Sequence, residues 1–152
     1  MKYYRSLSVF AFLTAVILLV GGCASVSREG ARGDESASKA AESIAATFGV
    51  EIVSIRLTAA GHMIDLRYRV NDPGKAVLFL ARSTKMYMID KETGEKLAIP
   101  RTMLGPMRQS SVKPLKGRVY FVLFGNRDGV VREGSRVEVV VGDQKIEDLV
   151  IQ

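Results

Sequence analysis

One histidine, His62, and one cysteine, Cys23, limit the chemistry open to this 152-residue chain. A Ser-His-Asp arrangement would have to use His62, and no G-x-S-x-G elbow holds a nucleophile ready. Ser-x-x-Lys occurs twice, at Ser36 to Lys39 and at Ser110 to Lys113. That spacing supports acyl transfer when serine and lysine share a helix face. Ser36 lies in a polar linker, Pro114 beside Lys113 disfavours a continuing helix, and no K-T-G accompanies either string. A zinc site is disfavoured by one histidine and no second thiol. Asn126, Asp128 and Glu133 lack the spaced acidic ladder of a calcium loop, and "NRDG" reads more simply as a turn. These exclusions predict a protein that is not an enzyme.

Methionine offers the sharper possibility. Met63, Met86, Met88, Met103 and Met107 lie beyond Cys23, and His62 adjoins Met63. Thioether sulfur suits Cu(I). The i, i+2 spacing of Met86 and Met88 puts both on one face of a strand. His62-Met63 followed by Met-x-Met distantly resembles the motif of periplasmic copper chaperones, themselves β-sandwiches. The match departs from that pattern: Met86 stands where the motif has its second histidine, and an intermediate methionine is missing. The resemblance implies a Cu(I) carrier using His62, Met63, Met86 and Met88. The competing reading makes the methionines adaptable filler in the core or its rim.

The lone cysteine has a clearer context. Lys2 and Arg5 precede an uncharged, mostly apolar run, Leu7 to Val20, and Gly21-Gly22-Cys23 follows. That run suits a signal-peptide core better than a membrane span, which needs about 20 apolar residues. Val20-Gly21-Gly22-Cys23 resembles the lipobox of bacterial lipoproteins, with valine where leucine is more usual. The resemblance implies that residues 1–22 are a signal peptide, removed after diacylglycerol joins the Cys23 sulfur. Several acyl chains together give stable anchoring where one is marginal. Ala24 and Ser25 in place of aspartate imply, by analogy with enterobacterial sorting, an outer-membrane protein facing the periplasm. With Cys23 lipidated no thiol remains for a disulfide, so the fold must rest on its core.

Hydrophobic content of 47% and charged content of 25% are those of a globular chain. Without Lys2 and Arg5 the basic side chains exceed the acidic by four, and they are scattered. Nothing resembles the Lys/Arg-rich runs of nucleic-acid patches, so nucleic acid is not expected as a partner.

Residues 23–38 are rich in Ser, Gly, Ala and charge and read as a flexible tether carrying the acyl chains. Residues 39–152 form one domain. Ala37, Ala40, Ala41, Ile44, Ala45 and Phe48 recur at helical spacing, and Gly49 is placed to end a short leading helix. The period then shortens to two. Val50, Ile52, Ser54 and Leu57 cannot share one face without a bulge. "HMIDLRYRV" puts Ile64, Leu66, Tyr68 and Val70 on one side and Met63, Asp65, Arg67 and Arg69 on the other, a candidate binding face or simply the wet side of a sheet. "AVLFLAR" is ambiguous: Asp72-Pro73 can start a helical turn there, the reading favoured, or Ala76 to Leu80 can be a buried strand. "KMYMID" and "KLAIP" flank a hairpin turn with Gly94, and "RVYFVLFGN" reads as a central buried strand. Between them "RTMLGPMRQSSVKPLKG" reads as irregular, the longest candidate functional loop, with Arg101, Arg108, Lys113 and Lys116 as binding residues.

Seven or eight short strands with closely spaced turns predict an all-β fold, an antiparallel β-sandwich of immunoglobulin-like type, with a small open barrel as the alternative. The blocks "IRLTAAGHMIDLRYRVNDPGKA", "YMIDKETGEKLAIP" and "GRVYFVLFGNRDGVVREGSRVEVVVGD" resemble small exported bacterial proteins, often lipoproteins, with no assigned activity. The expected function is a lipid-anchored binding or assembly module that contacts another envelope protein or a cell-wall component through strand edges or the Arg101–Lys116 loop. The alternative is the Cu(I) carrier.

Overall fold

Ile64, Leu66, Tyr68 and Val70 are all fully buried, as the alternation in their strand requires. The computed structural model describes residues 43–152. The expected signal peptide (1–22), the lipidated tether (23–38) and the start of the leading helix lie outside the described residues. Residues 43–48 are helical (α1) and bury Ile44 and Phe48, one turn apart. Gly49 ends this helix with its amide on the Ala45 carbonyl and a φ of +61°. Its own carbonyl accepts from the amides of Asn71 and Asp72. A Cβ there would lie 2.7 Å from that of Asp72, so glycine is required twice over.

Nine strands follow: β1 Val50–Thr58, β2 Met63–Val70, β3 Met86–Asp90, β4 Lys96–Ala98, β5 Arg101–Thr102, β6 Gly105–Pro106, β7 Val119–Gly125, β8 Arg136–Val141 and β9 Gln144–Val150. Seven of them make two antiparallel sheets, ordered β1-β2-β7 and β4-β3-β8-β9, while β5 and β6 form a separate ribbon. Both sheets contribute to one hydrophobic cluster, the sandwich-like arrangement expected, and among the described residues no barrel closes. The expected bulge falls between Ile52 and Ser54.

Helix α2 (Pro73–Leu80) settles the ambiguous "AVLFLAR" segment. Asp72 caps it, its Oδ1 accepting from the amides of Gly74 and Lys75 at 2.9 and 3.3 Å, with Pro73 in the first turn. Ala76, Phe79 and Leu80 face the core. There the Phe79 ring meets Tyr68 edge-on at 4.5 Å and Phe48 at 5.3 Å, joining both helices to the sheet. The β3–β4 turn is held by Asp90, buried, whose Oδ2 accepts from the amide and hydroxyl of Thr93 at 2.9 and 2.7 Å.

Two expectations need correction. The apolar run in β7 is buried on alternate residues only, at Tyr120, Val122 and Phe124. The strand covered on both faces is β8, central between β3 and β9. The "RTMLGPMRQSSVKPLKG" segment is also more regular than expected. It contains the β5–β6 ribbon, then runs along the free edge of β7, with a bridge between Arg108 and Val122.

Candidate functional site

The segment from Arg101 to Arg118 starts at the end of β4 and reaches the edge of the other sheet. Its first feature is the ribbon. Arg101 pairs with Pro106 and Thr102 with Gly105, leaving Met103-Leu104 as the turn. The Thr102 hydroxyl donates to the Gly105 carbonyl at 3.0 Å and accepts from the Leu104 amide at 3.2 Å. Gly105 supplies the φ of +120° that closes the turn. The result is a pinned tip presenting two large apolar side chains to solvent, Met103 at 104% and Leu104 at 97% exposure. Large apolar groups scattered singly on a surface are ordinary; two adjacent and wholly exposed on a hydrogen-bonded tip are not.

Beyond the tip the segment is sewn to β7. The Leu123 amide donates to the Met107 carbonyl at 2.9 Å, and the Gln109 amide to the Phe121 carbonyl at 3.0 Å. The Leu115 amide donates to the Tyr120 hydroxyl at 3.1 Å. At the far end the amides of Gly117 and Val70 pair with the carbonyls of Val70 and Arg118. Val112 and Leu115 are exposed here as well.

The four basic residues expected to bind through this loop divide. Arg101, Lys113 and Lys116 are exposed. Arg108 instead holds the structure together. Its guanidinium donates to the Thr84 carbonyl at 3.1 Å and to the Ala81 carbonyl, which also accepts from the Thr84 amide, and so ties the segment to the chain just beyond α2. Burial lowers the pKa of Arg108, with the Tyr68 hydroxyl acting the other way. Burial raises that of Tyr68, with the Arg108 charge opposing. The Tyr68 hydroxyl and the Arg108 Nε are both buried and have no hydrogen-bond partner.

A depression of about 310 Å³ lies between β4 and the chain that follows β7. Pro100, Gly125 and Val130 form its apolar part, while Glu95, Lys96, Arg127 and Asp128 bring both signs of charge. Asn126 borders it with its side chain directed into the protein. Its Nδ2 donates to the carbonyls of Gly61 and Val131, each at 2.8 Å, and its Oδ1 accepts from the Val131 amide at 3.1 Å. The Asn126 side chain thus fastens the turn that follows β7.

The methionine set is split by strand parity. Met86 and Met88 share the inward face of β3, and both are in the core cluster. Met63 points to the other side of β2 from the buried Ile64 and Leu66, and His62 is exposed in the turn before it. Met86 and Met88 are thus brought together, but Met63 is not placed on their face. Ser110 and Lys113 lie in non-helical chain, so the shared helix face that their spacing would need is not formed. On the outer face of β2, the Arg67 Nε donates to Asp65 Oδ2 at 2.9 Å and Arg69 Nη1 to Glu51 Oε2 at 3.3 Å. These arginines answer carboxylates of their own sheet.

Met103 stands out in the sequence as one of the methionines, whereas Leu104, Thr102 and Gly105 do not stand out there as parts of a display. The available signal was "TMLGP": turn-forming residues around two large apolar ones. No protein-family model, curated protein or solved structure matches the chain.

Proposed function

We propose that the protein is an exported lipoprotein, anchored through acyl chains on Cys23, whose globular domain works by contact with another component of the cell envelope. It acts as a binding or assembly module on the periplasmic face of the outer membrane and not as an enzyme. The strand orders β1-β2-β7 and β4-β3-β8-β9 support an immunoglobulin-like reading of the sandwich. The lipobox Val20-Gly21-Gly22-Cys23 supports the anchor.

The observation that carries the contact reading is the tip of the β5–β6 ribbon. Two large apolar side chains left in water, on a turn held by its own threonine hydroxyl, cost solvation and contribute nothing to the core. Pre-ordered apolar groups of this kind lower the entropy lost on binding.

A photo-crosslinking side chain at position 104, in cells, tests it. Adducts are expected at 104 and not at the exposed position 132. Equal labelling at the two positions would remove the contact reading. Mass spectrometry of the mature chain tests the anchor separately: an acylated Cys23 as first residue is expected, and a bare Cys23 or a retained leader overturns it.

A further inference from the structure

We infer that the component met by this tip is an anionic lipid surface, which rests on the contact reading above and names its partner. Three observations converge on a bilayer. First, the tip is narrow and wholly exposed at Met103 and Leu104, the form suited to entering the boundary between head groups and acyl chains. Second, the charge along its segment of chain has one sign. Arg101 to Arg118 contains Arg101, Arg108, Lys113, Lys116 and Arg118 and no acidic residue. The acid-free stretch extends from Lys96 to Arg127, although the chain carries 16 acidic side chains in all. Third, the exposed apolar groups gather in the same segment. Of the nine large hydrophobic side chains exposed among the described residues, Met103, Leu104, Val112 and Leu115 lie between Arg101 and Arg118.

Apolar insertion combined with basic residues answers both parts of an anionic bilayer, the acyl boundary and the phosphates. The backbone of the tip is already paired to itself in the ribbon, and that of Met107 and Gln109 to β7 beyond it. Docking therefore requires no refolding. Arg108 is committed to the Ala81 and Thr84 carbonyls, which leaves Arg101 beside the tip, and Lys113, Lys116 and Arg118 farther along the segment, as the exposed cations for head groups. An acyl-anchored chain meets the membrane at high effective concentration, so even a weak second contact sets the domain's orientation.

The chain has no tryptophan, so a single one reports without background. Full-length mature protein carrying Leu104→Trp is reconstituted with vesicles of phosphatidylcholine containing phosphatidylglycerol, and with phosphatidylcholine alone. Arg132→Trp serves as the comparison. Flotation is measured first, then emission and quenching by brominated acyl chains. The Leu104→Trp emission is expected to shift to the blue and lose intensity to the quencher in the anionic vesicles. Both effects should weaken in phosphatidylcholine alone and at high salt. The Arg132→Trp emission should remain that of an indole in water. Protein that floats while Leu104→Trp remains water-like overturns this inference and leaves the anchor standing. Protein that floats only on anionic vesicles, with Leu104→Trp quenched, supports the inference and overturns the anchor. Protein that floats on neither overturns both. Crosslinks from position 104 to one dominant protein, without lipid adducts, overturn the lipid partner and retain the contact reading.

Discussion

Asn126 and Arg108 are polar side chains that each fasten a long connection to the sandwich, at two different places. They do it differently. Asn126 is buried, and its amide oxygen and nitrogen are both used, on Gly61 and Val131. Arg108 is half-buried. It satisfies two carbonyls with its terminal nitrogens and leaves its Nε without a partner, as is the Tyr68 hydroxyl. The loop held by Asn126 shows no large exposed apolar side chain, whereas the segment held by Arg108 shows four. Complete satisfaction goes with a connection that serves the fold. Incomplete satisfaction goes with one that also faces outward, in line with the tendency of polar networks to be costly when partly filled.

Removing the better-satisfied anchor should have the larger effect. Asn126→Ala strands the carbonyls of Gly61 and Val131 and the Val131 amide in a buried setting. The expected loss is about 3–4 kcal/mol, read as a lower urea midpoint with an unchanged slope. Asn126→Asp should be at least as damaging, since it removes both donated bonds and buries a charge. A loss below about 1 kcal/mol would end the claim that the two anchors differ in kind.

Arg108→Ala comes next, at about 2 kcal/mol, because water reaches a half-buried site and replaces part of what is lost. Arg108→Lys should recover little. A single ammonium cannot span the Ala81 and Thr84 carbonyls as the guanidinium fork does. Amide hydrogen exchange should quicken at the end of α2 and in the Met107–Ser111 stretch together, since one side chain joins them. Faster exchange in the Asn126–Ser135 loop instead would show that the two fastenings are not independent.

The sequence carried unequal information about these parts. Strand β2 was legible because its period of two is clean, and α2 because Asp72-Pro73 is a start signal with a mechanism. The β7 run misled because six apolar residues in succession do not reveal how many neighbours a strand has. One face of β7 packs on the core and the other does not, so its alternate residues Phe121 and Leu123 remain half-exposed. Conversely β8 includes Glu138, yet it is the strand buried on both faces. Its central position covers that side chain, and Lys145 meets the carboxylate at 2.9 Å. Arg108 was legible as a cation in a loop but not as an anchor, because the carbonyls it answers lie 24 and 27 residues earlier in the chain. The display at Met103-Leu104 was written locally, in turn residues around apolar ones, and needed the ribbon's geometry before exposure could be assigned.

The smallest expected change is also the most discriminating. Tyr68→Phe removes a hydroxyl that has no partner and keeps the ring contacts with Phe79 and Tyr120. Between pH 6 and 9 the variant should be more stable than the wild type by about 1 kcal/mol, since an unpaired buried hydroxyl is a penalty. The pH dependence gives an independent reading. Burial raises the Tyr68 pKa above its ordinary value, so the folded protein holds this proton after an unfolded chain, whose tyrosines ionise near pH 10, has released it. A folded state that binds more protons loses stability as pH rises. The wild type should therefore weaken from about pH 10 upward, through the range that ends at the raised folded value. Tyr68→Phe lacks this component while the remaining tyrosines contribute to both proteins alike, so the gap between them should widen with alkalinity. If Tyr68→Phe is instead the less stable protein at neutral pH, the hydroxyl has a partner in solution. The incompleteness of the Arg108 anchor would then rest on its Nε alone, and the contrast between the two fastenings mainly on exposure of the segments.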